Sequence, residues 1–143
     1  MAKVEFSGID ELSLSLKEVA ELPDEVIDAM LDARADVVVA AQRESAQKML
    51  VGPYAKGDTA RSIKKGKPKL RDGHRVLYVT PTGSRKRGRA KAVRNAEIAY
   101  ENEYGKKDVP ARNFIRTANE TCADAAVAAE YEVYSRFLTE KGL

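Results

Sequence analysis

The 143-residue sequence predicts an α+β fold, on three observations. Apolar residues recur at helical spacing over both ends of the chain, from Ile9 to Met49 and from Phe114 to Phe137. The centre carries short β-branched and aromatic runs, of which Val76-Leu77-Tyr78-Val79-Thr80 is the clearest, beside an Asp72-Gly73 hairpin signal. Length and a 43% apolar content fit one domain with its own core. The predicted arrangement has N-terminal helices and a long C-terminal helix packed on a small antiparallel β-sheet, with a basic flexible loop. A single domain over 1–143 divides into a helical part (1–50), the sheet (58–104, with the basic loop at 82–94) and the C-terminal helix (113–140).

Gly8 to Glu21 reads as a first helix, because Ile9, Leu12, Leu16 and Val19 repeat at three and four while Asp10 and Glu11 suit a helix start. Leu22-Pro23-Asp24 breaks it. A long helix follows from Asp24 to Met49, with Ile27, Met30, Leu31, Arg34, Val37, Val38, Ala41 and Met49 outlining its apolar face and Asp32, Asp36, Arg43 and Lys48 towards water. Val51-Gly52-Pro53 ends it. Asp58 or Thr59 then caps a short helical turn. Ser62 to Leu70 reads as a strand with alternating Lys, and Glu97 to Tyr104 as a further strand, or a strand passing into a helical turn. The last helix carries a stripe of Phe114, Ile115, Ala118, Cys122, Ala125, Ala129, Val133 and Phe137.

Charge is unevenly placed. Of 25 Lys and Arg, 13 lie between Arg61 and Arg94 with a single acid, Asp72, so this middle carries +12 and the flanks −9 within a net +3. Arg85, Lys86, Arg87, Arg89, Lys91 and Arg94 concentrate the charge in ten residues. Such a loop has little to bury and is predicted to order on a partner. Three readings stand: a protein contact with an acidic surface, phosphate contact and a merely solvated loop. The first is preferred because the flanks carry −9; no aromatic is interleaved for base stacking and no helix-turn-helix or RNA-binding signature supports the second. Glu101 and Glu103, two apart on the expected strand, share a face and present acids to a neighbouring subunit's basic loop. Arg112 and Arg116, four apart, share a helix face near its N-terminus, where cations oppose the helix dipole; Glu101, Glu103 or an acid across a subunit boundary is the expected compensating partner.

Signals for chemistry are weak. Cys122 is the only cysteine and sits among alanines, which reads as a small core residue. His74 is the only histidine, and no ligand spacing for a metal surrounds it. Gly83-Ser84-Arg85-Lys86-Arg87-Gly88 does not match a phosphate loop, and Ser62 and Ser84 have no histidine placed to activate them. No enzyme, cofactor or metal is expected. There is no apolar run of membrane-spanning length and no secretory signal, so no membrane association is expected.

Three segments, Gly57-Asp58-Thr59-Ala60-Arg61-Ser62-Ile63, Ile98-Ala99-Tyr100-Glu101-Asn102-Glu103-Tyr104-Gly105 and Pro110-Ala111-Arg112-Asn113-Phe114-Ile115-Arg116-Thr117-Ala118, follow the long acidic helical segment. In that order they resemble the gene-ten-like head–tail joining, or tail completion, proteins of long-tailed siphophages and prophages. That family shows a G-x-L-x-x-S-I entry, then an aromatic, a Glu, an aromatic and a Gly, then P-A-R-P-F-L-R-P-A. Thr59, Asn113 and Thr117 depart from it, and Lys106-Lys107 stand where a Thr usually follows the Gly. The resemblance implies a virion structural protein of the neck, assembled from the host cytoplasm. It implies a homo-oligomeric ring, hexameric by analogy, between a portal-side connector or head-completion protein and the tail tube or tail terminator protein. Non-specific contact with DNA in the channel would be compatible with it. Gly57, Asp58, Ser62, Tyr104, Gly105, Pro110 and Phe114 would be its structural positions. The alternative reading is a small basic nucleic-acid-binding phage protein.

Overall fold

A computed structural model describes residues 22–53, 55–86 and 90–143. The expected helix at Gly8–Glu21 lies outside the described residues, as do Arg87 and Arg89. The fold is α+β: four helices among the described residues, the last of them long, with small antiparallel ladders.

Helix α1 (Asp24–Met49) starts where Pro23, at φ −58, presets the first turn and offers its carbonyl to the N–H groups of Val26 and Ile27. Asp24 and Glu25 complement the dipole there. Helix α4 (Phe114–Glu140) runs antiparallel beside it. Arg34 meets Glu130, Gln42 Nε2 donates to Asn119 Oδ1 at 3.0 Å, and Ser45 Oγ donates to the Phe114 carbonyl at 2.7 Å. The buried seam is narrow and small: Ala35, Gln42, Ser45 and Ala46 on α1 against Ala118, Cys122 and Ala126 on α4. Ile27, Met30, Leu31, Val37 and Val38, the expected apolar face, are half-buried, and Ala125 of the expected α4 stripe is exposed.

The five-residue helix α2 (Asp58–Ser62) follows a left-handed Gly57 at φ 75. Neither Asp58 nor Thr59 caps it. Asp58 instead pairs with Arg61, and the Thr59 hydroxyl accepts from Arg85. The chain then makes one antiparallel excursion along α1. Strand β1 (Ile63–Lys65) pairs with β4 (Val79–Pro81), and β2 (Lys69–Arg71) with β3 (His74–Val76). The tip is Asp72-Gly73, at φ 50 and 80, as the Asp-Gly signal requires. The expected strands at Ser62–Leu70 and Val76–Thr80 are each broken midway, at Gly66-Lys67-Pro68 and Leu77-Tyr78. Pro68 has no N–H to give the ladder, and Gly66 bonds across to the Tyr78 carbonyl at 2.8 Å. The strands therefore form three two-stranded ladders, the third joining β5 (Ser84–Arg85) to β6 (Val93–Arg94).

Acidic residues of α1 hold the excursion down. Asp28 takes Arg75 in a two-bond fork, and Lys65 lies 2.8 Å from both Asp32 and Asp36. Hydrogen bonds to Asp32, then Asp36, raise the Lys65 ammonium above its ordinary 10.5. This contribution is complete below that value and fades as pH climbs past the raised one. Arg43 does not face water: its Nε and Nη2 both donate to the Ile63 carbonyl, at 2.9 and 2.6 Å.

Residues 95–104 form a helix, α3 (Asn95–Tyr104), where a strand was expected. Asn95, Ala99 and Glu103, four apart, share its buried face. Two of those three are polar, so no apolar helical period marks the segment. The core gathers here: Ala46, Ala60, Ile63, Ala99 and Phe114 pack together, with Ile63 and Phe114 fully buried.

Candidate functional site

The segments that carry the resemblance converge on this core. Ala60 and Ile63 come from the first, Ala99 from the second and Phe114 from the third. Ser62 Oγ closes the α2 turn on the Thr59 carbonyl. Gly105 stops α3 at φ 78, a turn joins Lys106 to Val109, and exposed Pro110 leads back. Arg112 N–H then bonds the Asn102 carbonyl at 2.7 Å. Asn113 enters α4 at φ 49, a conformation closed to proline. The departure from the family motif at this position is therefore a backbone requirement of this chain.

Glu103 fastens the joint. It is 5% exposed, and its two carboxylate oxygens accept the N–H groups of Ile115 and Arg116 at 2.7 and 3.0 Å. Those donors belong to the first turn of α4, which has no intrahelical acceptor and no cap from Asn113. The carboxylate satisfies them and meets the positive end of the dipole. Glu101 and Glu103 thus do not share a face. On a helix they lie about 200° apart, and Glu101 points outward to Lys106 at 2.9 Å. Sequence reading also misplaced the arginines. Arg112 precedes α4, and its guanidinium lies 3.4 and 3.5 Å from the Met49 and Val51 carbonyls, at the negative end of α1. Arg116 pairs with Glu120. Tyr104 contributes no core; it is 66% exposed and packs at a tilt against Tyr100, centroids 4.8 Å apart.

The basic loop is a hairpin arm with a fixed base. Arg85 is structural: its Nε donates to Asn95 Oδ1 at 2.9 Å, its Nη2 to the Thr59 hydroxyl at 2.6 Å, and Asp58 lies 3.7 Å away. Asn95 in turn donates to the Thr82 carbonyl. Lys86, Lys91 and Arg94 are exposed. A second basic surface, at the β2–β3 tip, was not singled out from sequence. There the Lys69 ammonium and Arg71 guanidinium sit 4.9 and 5.7 Å from the Tyr78 ring centroid, with Leu70 exposed beside them. The signal that could have found it is the alternation of Lys67, Lys69 and Arg71 before a hairpin.

Between the arm and the C-terminal end of α1 lies an open groove of about 780 Å³. Leu50, Val51, Pro53, Val93 and Ile98 supply apolar walls. Lys56, Lys91, Arg85 and Arg112 supply cations against one carboxylate, Asp58, which already pairs with Arg61 and Arg85. Among the described residues no group of His, Cys, Asp and Glu is placed to hold a metal ion, and no helix is long and apolar enough to cross a membrane. His74 is exposed on β3, and Cys122 is buried as a free thiol. The arrangement is a packed joint, an anchored cationic arm, and an apolar groove with a cationic rim. No family model, curated protein or solved structure matches the chain.

Proposed function

We propose that this chain is a structural component of a phage neck, which completes the tail and joins it to the head as one unit of an oligomeric ring. One observation supports the reading above the others. The three resembling segments, spread over sixty residues of sequence, share one packed joint from which the cationic arm and the groove project. A ring subunit needs such a joint, because its contacts must be held in register while its arms adapt to neighbouring rings. The groove's wall chemistry also suits a polypeptide partner, with apolar anchors inside and charge at the edge. The partners on this reading are further copies of the chain, a connector protein on the head side and the tail tube or its terminator.

The test is genetic. Lys86→Glu with Arg94→Glu reverses the arm's charge at two exposed positions that leave the Arg85 anchor untouched. In the phage or prophage carrying this chain, the substituted lysate is expected to hold filled heads and finished tails that are unattached in electron micrographs. Joined particles at the normal yield would overturn the arm's role in joining.

A second reading, a small nucleic-acid-binding protein, draws on the β2–β3 tip, where two cations flank an aromatic ring. Duplex binding through phosphates would weaken by orders of magnitude between about 50 and 200 mM salt.

A further inference from the structure

We propose that the groove at the C-terminal end of α1 receives residues 9–21 of a second copy of this chain. The inference rests on the ring reading above and names the contact that builds the ring.

The groove and the segment match in chemistry. The groove combines apolar walls with a cationic rim, Lys56, Lys91 and Arg112, and among the described residues Lys56 and Lys91 have no carboxylate partner. Its occupant must be apolar on one side and acidic on the other. Residues 9–21 have that composition: Ile9, Leu12, Leu16 and Val19 at spacings of three and four, with Asp10, Glu11, Glu18 and Glu21 against a single Lys17. Of the two further acidic segments, α4 is packed along α1, and α1 is already engaged. Its Asp28, Asp32 and Asp36 hold Arg75 and Lys65 of the same chain. A volume near 780 Å³ accommodates a few side chains from such a segment.

Reach decides which copy supplies the segment. Ala46 is the groove residue of α1 nearest to that helix's start, yet it lies about 33 Å of helical rise beyond Asp24. Leu16 precedes Asp24 by eight residues, at most about 28 Å of fully extended chain, and Val19 by five, about 17 Å. The apolar set therefore cannot seat as a unit in the groove of its own chain. It can seat in a neighbour's. Donor segment and acceptor groove then lie at opposite ends of α1, so each copy gives to the next and takes from the one before. A head-to-tail contact of this kind closes into a ring when its rotation permits.

The test uses two full-length variants and light scattering behind a sizing column at about 1 mM protein, a concentration that detects even weak contacts. Leu12→Asp with Leu16→Asp removes the donor. Val51→Asp with Lys56→Glu removes the acceptor at exposed positions outside the core. Each variant alone is expected at the 15.7 kDa of one chain. Their equimolar mixture is expected at twice that mass, because the one intact groove meets the one intact donor and the chain of contacts stops there. A synthetic peptide of residues 5–25 provides an independent readout: it should bind the donor variant and lose at least tenfold in affinity for the acceptor variant. The proposal is overturned if either variant keeps the wild-type assembly, if the mixture stays monomeric, if the peptide binds both variants alike, or if the wild-type chain is itself monomeric under these conditions. A wild-type ring unaffected by the variants would remove this contact and leave the neck reading standing. Normal joining by the arm variant would remove the arm's role in joining and leave this contact standing.

Discussion

Replacing Gly105 by alanine is expected to cost about 3–5 kcal/mol, a large share of the stability of an ordinary domain. Gly105 ends α3 at φ 78 and ψ 169, a region of backbone space that is essentially closed to residues with a Cβ. An added Cβ would also lie 2.8 Å from the Ala111 nitrogen and 2.9 Å from the Val109 carbonyl oxygen. Both are backbone atoms of the turn that returns the chain to α4, so neither can swing aside as a flexible side chain could. Relief requires moving the turn, and with it the bond from Arg112 N–H to the Asn102 carbonyl and the entry to Phe114. Gly66→Ala is the matching control. An added Cβ there would meet only the Tyr78 carbonyl, at an ordinary 3.5 Å. Thermal unfolding should show the first variant melting on the order of 10 °C lower and the second close to wild type. A Gly105→Ala protein within about 1 kcal/mol of wild type would contradict the account of the joint.

Glu103→Ala should cost about 2–4 kcal/mol, through the two α4 N–H groups it leaves without acceptors. Glu103→Gln should cost about half as much, because one amide oxygen still accepts while the amide NH₂ faces a donor. That ordering is what separates capping from side-chain packing, since glutamine fills nearly the same volume. Denaturant unfolding of the two variants reads it directly. Equal costs would indicate that charge opposite the dipole, rather than acceptor count, sets the effect. A loss below about 0.5 kcal/mol for alanine would remove Glu103 from the joint.

These two residues also mark where the sequence was legible and where it was not. The bounds of α1 could be read from Pro23, two acids and a sustained period, and the Asp72-Gly73 turn from its own chemistry, because local signals fix both. Helix α3 could not. Its buried face is Asn95, Ala99 and Glu103, and a polar residue is recognised as core only when its partners are known. Asn95 holds Thr82 and Arg85, and Glu103 holds α4; those partners lie ten to thirteen residues away, in elements that periodicity does not connect. The same blindness placed Arg85 in a mobile loop and Arg43 in water, although each donates two hydrogen bonds to the chain around Thr59–Ile63 and Asn95. Charge counting found the basic centre but not its use. Part of it neutralises α1 within the chain, through Lys65 and Arg75, and only the remainder is left for partners. The groove escaped sequence reading altogether, since its walls come from five separate segments.

The most direct test of the ring is the mass of the purified full-length chain in solution, by light scattering behind a sizing column, at about 0.05 and 0.2 M salt. The account predicts a discrete species near six copies of the 15.7 kDa chain at both salt concentrations, because apolar anchors in the groove sustain a contact that charge alone would not. A chain that stays at 15.7 kDa up to about 1 mM, and binds duplex DNA with an affinity that collapses between those two salts, would contradict it in favour of a nucleic-acid-binding protein.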